Sequence, residues 1–305
     1  MAEAIGLISG IERFAIHDGP GIRTLVFMKG CPLRCLWCSS PHTQKYTPEL
    51  LYDATQCVEC NTCVETCALK AISLSHETGV SVDATLCDYC GKCAENCPAK
   101  ALELVGKKVT PDELVKEVSK DSAFFRRSKG GVTVGGGEPT FQAEFVAQFL
   151  ALCKRQFYHT AIETCGYCQQ AKLESLLEHL DLVYMDIKHM DDTRHRELTG
   201  VSNHLILKNA QRVAQVRPLI LRVPVIPGCN DNVDNIKATA KFASGLGKNL
   251  LKIELLPYHQ FGLNTYIRMG RDYLLRDTEP PKRDQMEQLR QTIETYGVKV
   301  LARRA

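Results

Sequence analysis

Several things are missing from this 305-residue chain. No stretch approaches the roughly 18 consecutive apolar residues of a membrane span. Neither charge dominates: 38 Lys and Arg stand against 35 Asp and Glu, a net charge of +3. A dedicated nucleic-acid binder carries a strongly basic face, so that class is set aside. The opening MAEAIGLISGIERF has neither the basic start nor the long apolar core of a secretory leader. These absences argue against membrane and nucleic-acid partners and lead us to expect the cytoplasm. No obvious catalytic dyad of side chains is present either.

What the chain has in excess is cysteine. There are 15, in a composition that is 44% hydrophobic and 24% charged and therefore soluble and globular. A disulfide scaffold would be small, exported and evenly paired; this chain is large, opens on residues unlike an export signal and has an odd count. Clustered thiols in a reducing compartment read first as metal or cluster ligands. Eleven of them fall between Cys31 and Cys97, and the others are Cys153, Cys165, Cys168 and Cys229.

Three zones follow. Residues 1–46 hold a strand-like run, Ile22 to Met28, and then a loop with Cys31, Cys35 and Cys38. Residues 47–106 repeat one pattern at a spacing of 30: Cys57, Cys60, Cys63 and Cys67, then Cys87, Cys90, Cys93 and Cys97. So few large apolar residues lie there that its order is expected to come from what it binds. Residues 107–305 alternate strand runs (132–134, 160–164, 182–187, 219–223, 252–256) with helical stretches (111–120, 144–154, 169–179, 203–216, 232–242), and end with a helix over 283–296 and a run at 298–301. Such alternation predicts a parallel sheet with right-handed crossovers, either a partial barrel or an open doubly wound sheet.

The C-x2-C-x2-C-x3-C run supplies three thiolates to one cubane and its fourth to another. Cys57, Cys60, Cys63 and Cys97 would then hold one [4Fe–4S] cluster, and Cys87, Cys90, Cys93 and Cys67 a second. Paired zinc sites are the alternative, but zinc usually takes two separated C-x2-C pairs. The trio Cys31, Cys35 and Cys38 has no evident fourth partner. Three thiolates leave one iron of a cubane open, which suits a bound substrate or cofactor better than electron transfer alone. A zinc site with a distant fourth ligand such as His42 is the competing reading.

This loop, with DGPGIRT before it and GGGEPTFQ, DIKHMDD, RVPVIPGCND and IELLPYHQFG after it, resembles the radical S-adenosylmethionine (SAM) enzymes that activate glycyl radical enzymes. The resemblance covers nearly the whole chain, and the cysteine repeat brings it nearer the activases of dehydratase- and lyase-type partners. It implies a partial (β/α)6 TIM-type barrel from residues 1–46 and 107–305, with a ferredoxin-like insert over 47–106. It implies three [4Fe–4S] clusters, SAM, and flavodoxin or ferredoxin as the external electron donor. The partner's backbone glycine is the substrate.

Strand ends carry the chemistry in such barrels. By resemblance, SAM meets Trp37, Cys38, Ser39, the turn Gly136, Gly137 and Glu138, the segment Asp186, Ile187 and Lys188, and Arg222 and His259. Glu163, Thr164 and Asp186 match a monovalent-cation site, although relatives often have Asp where Glu163 stands. Asp18 matches a residue near the bound peptide. Cys165 and Cys168 form a CxxC whose plainer reading is two buried small side chains; Cys153 and Cys229 read as core. A ferredoxin-like electron carrier, or a radical SAM enzyme acting on a small molecule, are the rival functions. The carrier leaves the three-cysteine loop unexplained.

Overall fold

The computed structural model describes residues 4–303. Thirteen strands form: β1 (Gly6–Ala15), β2 (Arg23–Met28), β3 (Glu49–Tyr52), β4 (Ile72–Ser75), β5 (Gly79–Val82), β6 (Leu102–Val105), β7 (Lys107–Val109), β8 (Gly131–Gly136), β9 (His159–Thr164), β10 (Leu182–Asp186), β11 (Leu219–Val225), β12 (Leu250–Pro257) and β13 (Val300–Ala302). Nine of them make one sheet in the order β13-β12-β11-β10-β9-β8-β2-β1-β7. From β2 to β13 every neighbouring pair is parallel, so the expected mixed α/β architecture with a parallel sheet is what forms. Strand β1 was not anticipated. It lies antiparallel beside β2, with β7 antiparallel beyond it. Its inner and outer faces do not alternate cleanly, which hides it from a period-2 reading.

Helices connect the strands where amphipathic stretches predicted them. The helix Pro111–Ser119 starts as its sequence demands. Pro111 takes the first position, the Thr110 hydroxyl accepts from the Glu113 N–H at 3.2 Å, and the Glu113 carboxylate accepts from the Thr110 N–H at 2.9 Å. That reciprocal box satisfies two otherwise orphaned donors. The short helix Asp192–Thr199 was not foreseen, because it buries only His195, Leu198 and Thr199.

The sheet curls. Thr133 Oγ1 on β8 donates to the Asp18 carbonyl at 2.6 Å, while Arg303, just past β13, donates to the His17 carbonyl at 2.6 Å. Five strand spacings would separate β8 from β13 by about 24 Å in a flat sheet. Both reach adjacent residues of one loop, so the sheet must bend around it. The core fills the space between the sheet and its helices, with Val26, Val132, Ile162, Val183, Leu221 and Ile253 all buried.

The cysteine repeat folds as two interlocked halves. β3 precedes the first copy and pairs with β6 after the second; β4 and β5 pair between them. Asp53 N–H donates to the Ala101 carbonyl and Asp83 N–H to that of Ala71, both at 2.8 Å, so each copy closes on the other's strand. Left-handed backbone recurs at the repeat spacing: Glu59 and Tyr89, Asn61 and Gly91, Lys70 and Lys100. The hydrophobic cluster at the centre of this part is small: Cys63, Ile72, Cys97, Ala101 and Leu102.

Candidate functional site

A cavity of about 290 Å³ opens at the C-terminal ends of the parallel strands. Its wall includes Cys31, Cys35, Trp37, Cys38, Ser39, Gly136, Gly137, Glu163, Thr164, Asp186, Lys188, Arg222 and His259. Strands far apart in the chain deliver these residues, because parallel strands all end on the same rim.

The cysteine loop leaves β2 through Gly30, whose φ of +93° needs glycine. Backbone bonds fix its course: Cys31 N–H to the Gln44 carbonyl at 3.0 Å, Arg34 N–H to Thr199 at 2.7 Å and Leu36 N–H to Leu198 at 3.1 Å. None of the three thiols is in a disulfide. Burial pushes the Cys35 thiol up to about 12 and raises that of Cys38. Cys31 moves down instead, because the Cys165 thiol lies within hydrogen-bonding reach; Cys165 itself is raised, first by burial and then by Cys31.

The glycine turn is laced to that loop. Gly137 N–H donates to the Met28 carbonyl at 3.0 Å and Glu138 N–H to that of Gly30 at 2.8 Å. A Cβ on Gly137 would sit 2.7 Å from the Gly30 oxygen, so the backbone itself forms this part of the wall. Glu138 does not reach the cavity. It is 1% exposed, and its carboxylate accepts from Thr140 N–H, from the hydroxyls of Thr140 and Thr164, and from Cys165 N–H at 2.7–3.0 Å. Ile187 does not line it either; it is buried in the main core.

Charges of both signs face the cavity in pairs. Lys188 Nζ lies 2.7 Å from Asp186 Oδ2. Burial opposes the ammonium, but Asp186 and the nearby Cys35 and Cys165 hold its proton more tightly than usual. Arg222 is a hub. It pairs with Glu163, lies 3.5 Å from Asp18 Oδ1 and 3.4 Å from Glu254 Oε2, and sits 4.1 Å over the Tyr184 ring. Burial pushes Glu163 up to about 7 in spite of Arg222, with Asp18 and Asp186 adding to the rise. The anticipated cation ligands are thus all engaged within the protein: Glu163 by Arg222, Asp186 by Lys188, and Thr164 Oγ1 by Glu138 at 2.7 Å. Asp18 meets the site through Arg222 and lies outside the cavity wall. His259 stacks on Phe261 at 4.1 Å, and burial lowers its pKa, so it stays neutral at pH 7.

Sequence reasoning missed part of the wall. Phe27, Leu33, Pro224, Ile226, Leu256 and Tyr258 supply its apolar surface. Cys165 also lines it, whereas Cys168 belongs to the core, so the CxxC does not act as a pair. Its position directly after Glu163 and Thr164, at a strand end, was the available signal.

Two smaller cavities lie in the repeat. One is lined by Cys57, Cys60, Cys63 and Cys97, and the other by Cys67, Cys87, Cys90 and Cys93. Backbone donors already point at sulfur there: Ala71 N–H to Cys67 Sγ at 3.3 Å and Tyr89 N–H to Cys87 Sγ at 3.4 Å. Among the described residues no three His, Cys, Asp or Glu side chains converge on a single point. The thiols rim spaces instead.

Residues 84–243 match the Radical SAM superfamily, a span of just over half the chain that begins after Cys38. The chain is 43% identical over 273 residues to the isethionate sulfite-lyase activating enzyme of Oleidesulfovibrio alaskensis, covering 87% of each chain. It is 40% identical over 292 residues to the trans-4-hydroxy-L-proline dehydratase activating enzyme of Clostridioides difficile, covering 94% of this chain and 96% of that one. Among solved structures, QueE from Escherichia coli superposes with a TM-score of 0.53 at 14% identity, over 99% of this chain and 95% of that one, a likeness of fold alone. No helix among the described residues is long and apolar enough to cross a membrane.

Proposed function

This chain belongs to the radical SAM superfamily and, within it, to the activating enzymes of glycyl radical enzymes, and on that footing we propose how its residues divide the work. Cys31, Cys35 and Cys38 hold a [4Fe–4S] cluster with one iron left for SAM. The observation that carries this reading is one cavity, at the strand ends, walled by those three thiols together with Gly136, Gly137, Asp186, Lys188, Arg222 and His259. The fit is chemical as well as spatial. Three unpaired thiols suit iron, and the bare Gly137 backbone, which leaves no room for a Cβ, suits close approach of a ligand.

When bound, these groups supply the reaction: an electron passes into the sulfonium of SAM, which splits to methionine and a 5′-deoxyadenosyl radical equivalent able to take one hydrogen atom from a backbone glycine. The protein's share is placement and exclusion. Gly136 and Gly137 present backbone to the amino end of SAM. Lys188 and Arg222 face its carboxylate side with their charges held by Asp186 and Glu163. Trp37, Ser39 and His259 flank the nucleoside, and Phe27, Leu33, Ile226 and Leu256 keep water from it. The partner's glycine loop enters extended, near Asp18, because a radical must approach its hydrogen closely.

The repeat, residues 47–106, is a ferredoxin-like insert with a second cluster on Cys57, Cys60, Cys63 and Cys97 and a third on Cys67, Cys87, Cys90 and Cys93. The quartets around its two cavities support this crossed assignment. A flavodoxin or ferredoxin in the cytoplasm would supply the electron, and the insert clusters would either relay it or serve structure and docking. The partial TIM-type barrel then leaves a side opening for the peptide. The partner is a lyase, dehydratase or decarboxylase of the glycyl radical type. The cation expected at Glu163, Thr164 and Asp186 is not needed, since Arg222 and Lys188 already supply the positive charge there.

The test is anaerobic reconstitution followed by reduction with SAM. Wild type should bind about twelve irons, release 5′-deoxyadenosine, and raise a glycyl radical signal only when a partner is added. Cys35→Ala should keep about eight irons and lose SAM cleavage; Cys63→Ala should also keep about eight but retain a SAM-responsive cluster. A Cys35→Ala protein that cleaves SAM at the wild-type rate would refute the assignment.

A further inference from the structure

We propose that Arg303 is a positioning residue for the hydrogen-abstraction step: it pins the His17 carbonyl and so holds the loop 16–21 where the partner's glycine peptide has to lie. This rests on the reading that the peptide enters near Asp18.

The loop lies between β1 and β2 and is held by its backbone from inside the curl of the sheet. Arg303 Nη2 donates to the His17 carbonyl at 2.6 Å, and Arg222 Nη2 donates to the same oxygen at 3.0 Å. Both guanidinium groups rest on one carboxylate oxygen. Glu254 Oε2 lies 2.8 Å from Arg303 Nη2 and 3.4 Å from Arg222 Nε, while Lys252 Nζ lies 2.9 Å from Glu254 Oε1. Glu254 is 1% exposed, so the carboxylate at the centre of this circuit is out of water. The next carbonyl is held as well. Thr133 Oγ1 donates to the Asp18 oxygen at 2.6 Å and accepts from Arg23 Nε at 3.0 Å. Gly19 takes a φ of +148°, and a Cβ there would lie 2.8 Å from Arg23 Nε, so the turn has one shape.

Core packing does not account for so many donors on one short loop. Ile16 is 65% exposed, and the side chains of His17 and Pro20 are exposed too. A loop fixed from within, with its side chains turned outward, is suited to contact another molecule. Asp18 joins the two sides, because it lies 3.5 Å from Arg222 and Arg222 also lines the cavity. Arg222 is therefore shared between loop and cavity. Arg303 lies outside the cavity wall and serves the loop alone. Its loss should leave the cavity intact and release the loop. A radical must meet its hydrogen closely, so a released loop should cost the step that needs the peptide and spare the step that needs only SAM.

The experiment compares wild type, Arg303→Met and Arg303→Lys as full chains, reconstituted anaerobically. The probe is a glycyl radical enzyme that wild type activates, taken from the lyase, dehydratase and decarboxylase types. In Arg303→Met, which keeps the apolar stem, the partner concentration giving half the maximal glycyl radical should rise roughly tenfold. Release of 5′-deoxyadenosine without partner should stay within about twofold of wild type. Amide hydrogen exchange should quicken in residues 16–21 and not in the insert. Arg303→Lys keeps a cation between Glu254 and the His17 carbonyl and should need less partner than Arg303→Met. An unchanged partner requirement or unchanged exchange in the loop overturns the proposal. So does an equal fall in partner-free SAM cleavage, or a failure of Arg303→Met to fold, because the residue would then be structural. Arg303→Lys no better than Arg303→Met overturns it too, since charge and donation would count for nothing. Asp18→Ala separates the underlying reading. If it also leaves the partner requirement unchanged, or if wild type activates no candidate partner, the peptide site near Asp18 is refuted; if Asp18→Ala raises the requirement and Arg303→Met does not, only the role of Arg303 fails.

Discussion

Lys29 and Glu49 form an ion pair inside the protein, Nζ to Oε2 at 3.1 Å, with none of the lysine side chain exposed. The same ammonium donates to the His42 carbonyl. Lys29 closes on the start of the cysteine loop, and Glu49 opens β3 of the insert. One buried pair thus fixes the insert against that loop. Removing one partner leaves the other charged and stranded. Glu49→Ala should therefore cost about 3–5 kcal/mol in urea unfolding, and the double change Lys29→Met with Glu49→Leu should recover most of it. A loss below about 1 kcal/mol for Glu49→Ala would mean the pair behaves as a solvated one.

Gly137 should tolerate no side chain. An added Cβ would meet three backbone oxygens, those of Gly30 at 2.7 Å, Met28 at 3.0 Å and Thr43 at 3.1 Å, and backbone held by its own hydrogen bonds cannot step aside. Gly137→Ala should lose about 1–3 kcal/mol of stability and most of its SAM affinity, while the insert keeps its iron. Equilibrium dialysis with labelled SAM alongside iron analysis would check this; wild-type affinity would contradict it.

Monovalent cations should matter little. The carboxylates of Glu163 and Asp186 are already neutralised by Arg222 and Lys188. Replacing potassium by tetramethylammonium should leave 5′-deoxyadenosine formation unchanged within about twofold, under about 0.5 kcal/mol. A tenfold drop would show that these internal pairs open to admit an ion.

Glu163 should make stability depend on pH in an unusual direction. Burial holds its folded pKa at about 7, above the ordinary 4.5. Between those values the folded state binds the extra proton, so its contribution falls as pH rises from 4.5 to 7, by at most about 3 kcal/mol. In Glu163→Gln that slope should disappear. Urea midpoints measured across this range, without SAM, decide it; an identical slope in the variant would assign the effect elsewhere.

Much of the molecule was legible in the residue order. The alternation of strands and helices after residue 107 predicted the parallel sheet, and Thr110 ahead of Pro111 marked where its first helix begins. β1 escaped because a strand of mixed burial carries no clear period. The repeat was legible for a different reason: its cysteine spacing returns 30 positions on, and the backbone follows, with left-handed residues at both Glu59 and Tyr89.

Residue order alone determined what lies within a turn or two of itself: the spacing of Cys31, Cys35 and Cys38, the two cysteine runs, and the glycines that let backbone approach a ligand. Short-range stereochemistry fixes such patterns before any tertiary contact forms. Which distant residues meet was decided only by the curl of the sheet. It brought Cys165 into the same cavity wall as Cys31, turned Glu138 inward to brace that turn, and gathered Glu163, Asp18 and Glu254 around Arg222. Curvature arises from the summed packing of every strand, and no local stretch of sequence encodes it.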